Sequence, residues 1–164
     1  MNKVLYRVNE QVYDQCSFVV TEFVNELESQ EYYACQFTLN DTKVICRNSK
    51  ITPKKLGQFV TFWKRNGKGP IEPFHENDSF AYFVVNVCSR NDFGQFVFPK
   101  TMLMKKGIVS TDSKEGKRAF RVYPPWDKPI SKQAILTQKW QRDYFLNIDR
   151  EVDLDKVRGL YGIR

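Results

Sequence analysis

Arg47, Asn48 and Lys50 lie at the end of the apolar run Val44-Ile45-Cys46, and Lys54, Lys55, Lys64 and Arg65 follow closely. Guanidinium and ammonium groups grouped in this way are suited to phosphate oxygens, which accept charge-assisted hydrogen bonds from both. The segment reads as a strand feeding directly into a helix. Thr52 would be the N-cap and Pro53 the first helical residue. Lys54 and Lys55 would then sit in the first helical turn, where positive charge opposes the helix dipole. A bound anion would relieve that conflict, because the free backbone N–H groups of a helix start also attract phosphate. The competing reading is a set of ordinary solvated lysines.

Two further groups carry similar chemistry. In Lys114 to Tyr123 the basic residues Lys117, Arg118 and Arg121 alternate with apolar ones. On a strand, Lys117 and Arg121 would share one face and Arg118 would take the other. With Tyr123 and Trp126 nearby, they suit a groove that tracks a phosphate backbone and stacks bases, although a solvated sheet face would look the same. Lys139 and Arg142 flank Trp140, which reads more naturally as a core residue than as a stacking platform. Glu22 and Glu26 could reach a metal from one helix, or could simply form its wet face. His75, the only histidine, has no recognisable nucleophile partner, and no Ser-His-Asp or Cys-His pattern surrounds it.

The chain has 164 residues and a net charge of +7, long enough for one domain with its own core over 1–164. The charge makes an anionic partner plausible without specifying it. No apolar run approaches the ~20 residues that a membrane span needs, and the first ten residues lack a signal-peptide core. A cytoplasmic protein is expected. Cys16, Cys35, Cys46 and Cys88 are scattered without zinc spacing, so four reduced and mostly buried thiols are expected.

Several elements must position these groups. Val12, Cys16, Val19, Val20, Phe23, Val24 and Leu27 follow helical spacing, predicting an amphipathic helix over about 11–29. Tyr32–Leu39 and Lys43–Ile51, joined by a turn at Asn40-Asp41-Thr42, predict a hairpin. Leu56, Phe59, Val60 and Trp63 predict a helix ending at Gly67, and 66–78 reads as a long loop. Strands are expected at Phe80–Cys88, Gly94–Phe98, near Ile108 and at Lys117–Tyr123, with a short helix from Lys100. A rigid Pro124–Pro129 connector should lead to a helix capped by Ser131 and running to about Asn147, then to a last amphipathic segment using Val152, Val157 and Leu160. The order predicts an α/β (α+β) fold, a central mixed sheet flanked by helices.

Five motifs together resemble the MepB family of bacterial proteins: Ser49–Arg65, Gly69–Phe74, Phe98–Ile108, Gly116–Trp126 and Thr137–Phe145. They span most of the chain. The family name implies an association with a multidrug efflux operon, and with it an accessory role in resistance. MepB-like proteins in turn resemble the restriction-endonuclease-like, PD-(D/E)XK fold. That resemblance implies a helix, a hairpin, an acid-x-Lys at a strand end and a second helix. Here the acid-x-Lys position falls on Asn48-Ser49-Lys50. Asn48 stands where a carboxylate is implied, and an amide offers Mg²⁺ one carbonyl oxygen but no charge.

The expectation is therefore a nucleic-acid-binding protein with a nuclease-like fold and a degenerate metal site. Its partner would be DNA, single-stranded in preference, held mainly through phosphates by Arg47, Lys50, Lys54, Lys55, Lys64, Arg65, Lys114, Lys117, Arg118, Arg121, Lys139 and Arg142. No cofactor is expected. Asn48, Lys50, Glu22 and Glu26 are the relic catalytic candidates, and Mg²⁺ or Mn²⁺ would enter only if the chain were an active nuclease. A second alternative is an accessory protein that binds a small molecule or a protein partner.

Overall fold

The computed structural model describes residues 1–164. Asn2 opens the first helix, α1 (Lys3–Val8), accepting the Leu5 N–H at 3.0 Å on its side-chain oxygen. A π turn (Asn9–Tyr13) and a 3₁₀ turn (Asp14–Cys16) extend it, burying Leu5, Val8, Val12 and Cys16. Ser17 then adopts φ 59°, and the helix stops. The helix expected over 11–29 holds only as far as Cys16. From Val20 the chain is strand β1 (Val20–Asn25), with an irregularity at Glu22, whose φ is 52°.

β2 (Cys35–Leu39) and β3 (Thr42–Asn48) form the expected hairpin, in a register that sets Cys35 opposite Cys46. Beyond it the sequence expectation fails. Residues 50–65 hold no helix but three short strands, β4 (Lys50–Ile51), β5 (Gln58–Thr61) and β6 (Trp63–Arg65). The helical spacing of Leu56, Phe59, Val60 and Trp63 competes with a period of two, Gln58, Val60 and Phe62, and those three are the residues buried. Aromatic and β-branched residues favour the pleated alternative.

β7 (Ile71–Pro73) pairs with β6 inside the expected loop. Asp78 secures the end of that loop: one oxygen accepts Lys64 at 2.6 Å, the other the His75 N–H at 2.7 Å. Then come β8 (Tyr82–Cys88), β9 (Phe93–Pro99), α2 (Lys100–Lys105), β10 (Ala119–Val122), α3 (Lys132–Gln141), β11 (Phe145–Asn147) and α4 (Leu154–Tyr161). The strand expected near Ile108 is reduced to an isolated bridge between His75 and Ser110. Ser131 caps α3 as expected, but the helix ends at Gln141, because Phe145 and Leu146 add to β9 as an edge strand. Phe145 packs directly over Gly94, where a Cβ would lie 2.2 Å from the ring.

The main sheet has the order β1-β2-β3-β8-β9-β11. The β3–β8 pair is parallel and the others are antiparallel, so the sheet is mixed, flanked by helices, and of the class the sequence indicates. Alternation along the strands builds two cores. Val44, Cys46, Val84 and Val97 face α1 and α4, while Ile45, Phe83, Val85, Phe96 and Phe98 face the other way. The second core is closed by a small sheet of order β10-β5-β4 and by Phe62, which stacks on Phe83 with centroids 3.9 Å apart and on Phe74 at 4.5 Å. Truncating so central a ring costs about 3–5 kcal/mol. Two strands of the small sheet, β4 and β5, lie in the crossover between β3 and parallel β8, where the nuclease-like resemblance implies a helix.

Candidate nucleic-acid interface

The small sheet buries one face and presents the other. Gln58, Val60 and Val122 point inward. On the outer face a single row crosses all three strands: Lys50 on β4 is opposite Phe59 on β5, which is opposite Arg121 on β10. The Lys50 ammonium lies 4.8 Å from the Tyr32 ring centroid, and Tyr32 and Phe59 centroids are 6.4 Å apart. The Arg121 guanidinium carbon is 5.8 Å from the Phe59 centroid. Cations thus bracket an aromatic centre, within the range where the ring quadrupole attracts positive charge.

Arg121 also shapes its surroundings. It donates to Thr52 Oγ1 at 2.7 Å and to the carbonyls of Leu56 and Gly57 at 3.3 and 3.4 Å. These bonds fix the 52–57 loop that carries Lys54 and Lys55. Gly57 has φ +80°, and a Cβ there would come within 2.7 Å of Tyr123, so the loop can lie this close to β10 only with glycine. Asp127 borders the same loop; burial pushes its carboxyl up, and the Gly57 N–H partly offsets that. Lys54 and Lys55 therefore stand on an arginine-clamped loop and not on a helix, which withdraws the helix-start argument for an anion there.

Beside the row lies a groove of about 410 Å³ between β10 and α3. The strand expected over Lys117–Tyr123 is shorter, Ala119–Val122; Ala119, Phe120 and Arg121 of β10 line the groove, together with Lys117 before the strand and Tyr123 after it. α3 contributes Gln133, Thr137 and Trp140 from the opposite wall. Lys106, just past α2, completes the lining, its ammonium 5.5 Å from the Trp140 centroid. Sequence reasoning missed Lys106 and Phe59, and the pair Lys105-Lys106 was the available signal; Trp140 packs on the second core as expected, its ring centroid 5.4 Å from that of Phe98, and also lines the groove. Trp126 is not in the groove and packs edge-on against Phe145 at 5.8 Å.

The structure separates the remaining basic candidates. Arg47 is a correction: it is 2% exposed and cannot reach a phosphate. It pairs with Glu26 at 2.7 Å and donates to the carbonyls of Thr61 and Trp63, tying the main sheet to β5 and β6. Lys64 pairs with Asp78, Arg65 with Glu28 at 2.9 Å and Arg118 with Glu115 at 3.1 Å, so three more cations are already neutralised. Lys50, Lys54, Lys55, Lys106, Lys114, Lys117, Lys139 and Arg142 are exposed and belong to no ion pair. Lys139 stands beside Trp140 at an adjoining depression, and Lys114 folds over Gly107.

The relic catalytic candidates do not assemble into a metal site. Glu22 and Glu26 belong to β1 and its end, not to a helix. Glu22 accepts the Thr38 hydroxyl at 2.9 Å, and Glu26 accepts Arg47 and the Gln36 amide at 2.8 Å. Asn48 accepts the Asn86 amide at 3.1 Å. Behind it runs a buried chain: Gln95 donates to Asn86 at 2.8 Å, Tyr161 donates to Gln95 at 2.7 Å, and Tyr13 meets Tyr161 at 2.7 Å. The Asn48 oxygen thus already accepts one hydrogen bond and carries no charge, while both carboxylates are bonded to other groups. These residues do not fit Mg²⁺ or Mn²⁺.

Ligand-capable groups do come together elsewhere, at His75, Glu76 and Asp112. There His75 Nδ1 accepts the Asn77 N–H at 3.1 Å, which places the proton of the neutral ring on Nε2, 3.4 Å from Asp112. Only Nδ1 is hydrogen-bonded within the protein, and Asp112, which faces Nε2, is 88% exposed.

A crystal structure of MepB superposes with a TM-score of 0.78 at 34% identity, covering 92% of this chain and 99% of that one. A bacterial homing endonuclease, I-Ssp6803I, aligns over 78% of this chain and 80% of its own, at 16% identity and a TM-score of 0.43, too distant to bear on function. No curated protein matches. No helix is long and apolar enough to cross a membrane. The MepB-like family model matches residues 26–147, a span that includes the small sheet, the groove and β11, and the chain belongs to the MepB-like family.

Proposed function

We propose that this protein binds nucleic acid, DNA with a preference for single strands, on the outer face of the small sheet. One observation carries the reading. The Lys50–Phe59–Arg121 row joins a clamped lysine-bearing loop on one side and a basic, aromatic groove on the other. Unpaired lysines supply the sequence-independent attraction to phosphates. Half-buried aromatics among them supply stacking that every base can use. An intact duplex shields its base faces, which favours the single strand.

Binding without cleavage is the accompanying reading, since Asn48, Glu22 and Glu26 are each committed to protein hydrogen bonds. An accessory role in drug resistance would be exercised through this binding. A small-molecule carrier would call for a closed apolar pocket, whereas this groove is open and lined by Lys106, Lys117 and Arg121.

The test is fluorescence anisotropy of labelled single-stranded and duplex DNA in EDTA. Saturable binding, tighter for the single strand and weakened by salt, supports the reading. No binding at low salt refutes it. Addition of Mg²⁺ or Mn²⁺ should yield no cleavage; turnover abolished by Lys50→Ala would restore the nuclease alternative.

A further inference from the structure

We infer that the groove between β10 and α3 is a subsite for one unpaired nucleotide of a bound strand. The base would lie over Ala119 against the Trp140 wall, and its phosphate against Lys117 and Lys106. The inference rests on the nucleic-acid reading above and adds a location and an occupant to it.

Three features define the subsite. First, space: among the residues of β10 that line the groove, Ala119 is the one small side chain, beside Phe120 and Arg121. The groove's 410 Å³ lies within the range that holds small ligands. Second, charge: Lys106 and Lys117 stand at the groove, exposed, and neither is in an ion pair. The Lys106 ammonium rests over Trp140, so a base arriving at that wall can displace it towards the phosphate it brings. Third, selectivity: the Gln141 and Gln138 amides are spent on the backbone, Gln141 on Tyr123 and Arg121 and Gln138 on Pro124 and Asp127. Gln133 makes no side-chain bond within the protein and is free to meet a base edge. A duplex cannot offer a lone base to such a slot without unpairing it.

The experiment uses the full chain, a labelled oligothymidylate, a labelled blunt duplex and free thymidine monophosphate. Ala119→Phe fills the slot, and the exposed double variant Lys106→Glu/Lys117→Glu reverses its charge should the first fail to fold. The expected result is that either variant weakens single-strand binding about tenfold more than duplex binding. Equal loss on both DNAs, or no loss, overturns the subsite while leaving the nucleic-acid reading intact. A wild-type protein that binds neither DNA overturns both. Quenching of tryptophan by the free nucleotide in such a protein, lost in Ala119→Phe, would identify a free-nucleotide pocket and equally overturn the strand subsite.

Discussion

Glu26 and Arg47 meet at 2.7 Å, the arginine 2% and the glutamate 18% exposed. This pair explains why two residues that invite a catalytic reading serve the fold instead. The carboxylate that might have held a metal neutralises a buried guanidinium, and the guanidinium that might have held a phosphate anchors the carbonyls of Thr61 and Trp63.

Glu26→Ala should therefore be a stability variant. It leaves Arg47 buried and unpaired, a loss of about 3 kcal/mol. Urea unfolding should show the drop in midpoint. Wild-type stability would mean that the pair is not formed.

The phenols of Tyr13 and Tyr161 touch in the first core, and burial holds both well above the ordinary tyrosine value of 10.0. Above that value the unfolded chain has lost protons that the folded one keeps, so the slope of unfolding free energy against pH is negative there. Below it neither state is ionised at these groups and they contribute no slope. Stability should fall as pH rises past about 10, more steeply in the wild type than in Tyr13→Phe. Equal slopes would contradict the burial of these groups.

Tyr161→Phe removes the donor to Gln95 and leaves a buried amide oxygen unpaired, a cost of about 1–3 kcal/mol. The loss should appear in thermal melts. Because the chain of bonds continues through Asn86 to Asn48, Asn86 amide exchange should quicken as well.

Cys88 is the one exposed thiol, whereas Cys16, Cys35 and Cys46 are buried. A thiol reagent should titrate one equivalent on the native protein and four after unfolding. Burial raises the Cys88 thiol above its usual 9.0, so its rate should keep climbing with pH beyond 9. More than one fast equivalent would contradict the packing around the β2–β3 hairpin.

The legible parts of the sequence were those with one dominant signal. The β2–β3 hairpin carried a turn at Asn40-Asp41, the cap at Ser131 was in place, and Lys117 and Arg121 line one groove although the strand begins only at Ala119. The misreadings had a common cause. Residues 56–63 satisfy helical and strand periods at once, and only the burial of Gln58, Val60 and Phe62 against the second core decides between them. Residues 19–27 show the same ambiguity, resolved by Ser17 turning left-handed. Lys106 and Trp140 could not be joined from sequence, because α2 and α3 meet only across the folded groove. Arg47 was misplaced for the same reason, since its carboxylate partner lies on the far side of the hairpin.

The most direct test of the central claim is the salt dependence of single-stranded DNA binding by anisotropy, wild type against Lys50→Ala. Lys50, Lys54, Lys55, Lys106 and Lys117 stand free on this face, so the slope of log affinity against log salt should be about −3 to −4. Lys50→Ala should weaken binding several-fold and make the slope shallower by about 0.7. A wild-type slope near zero, or a Lys50→Ala slope identical to it, would contradict the account.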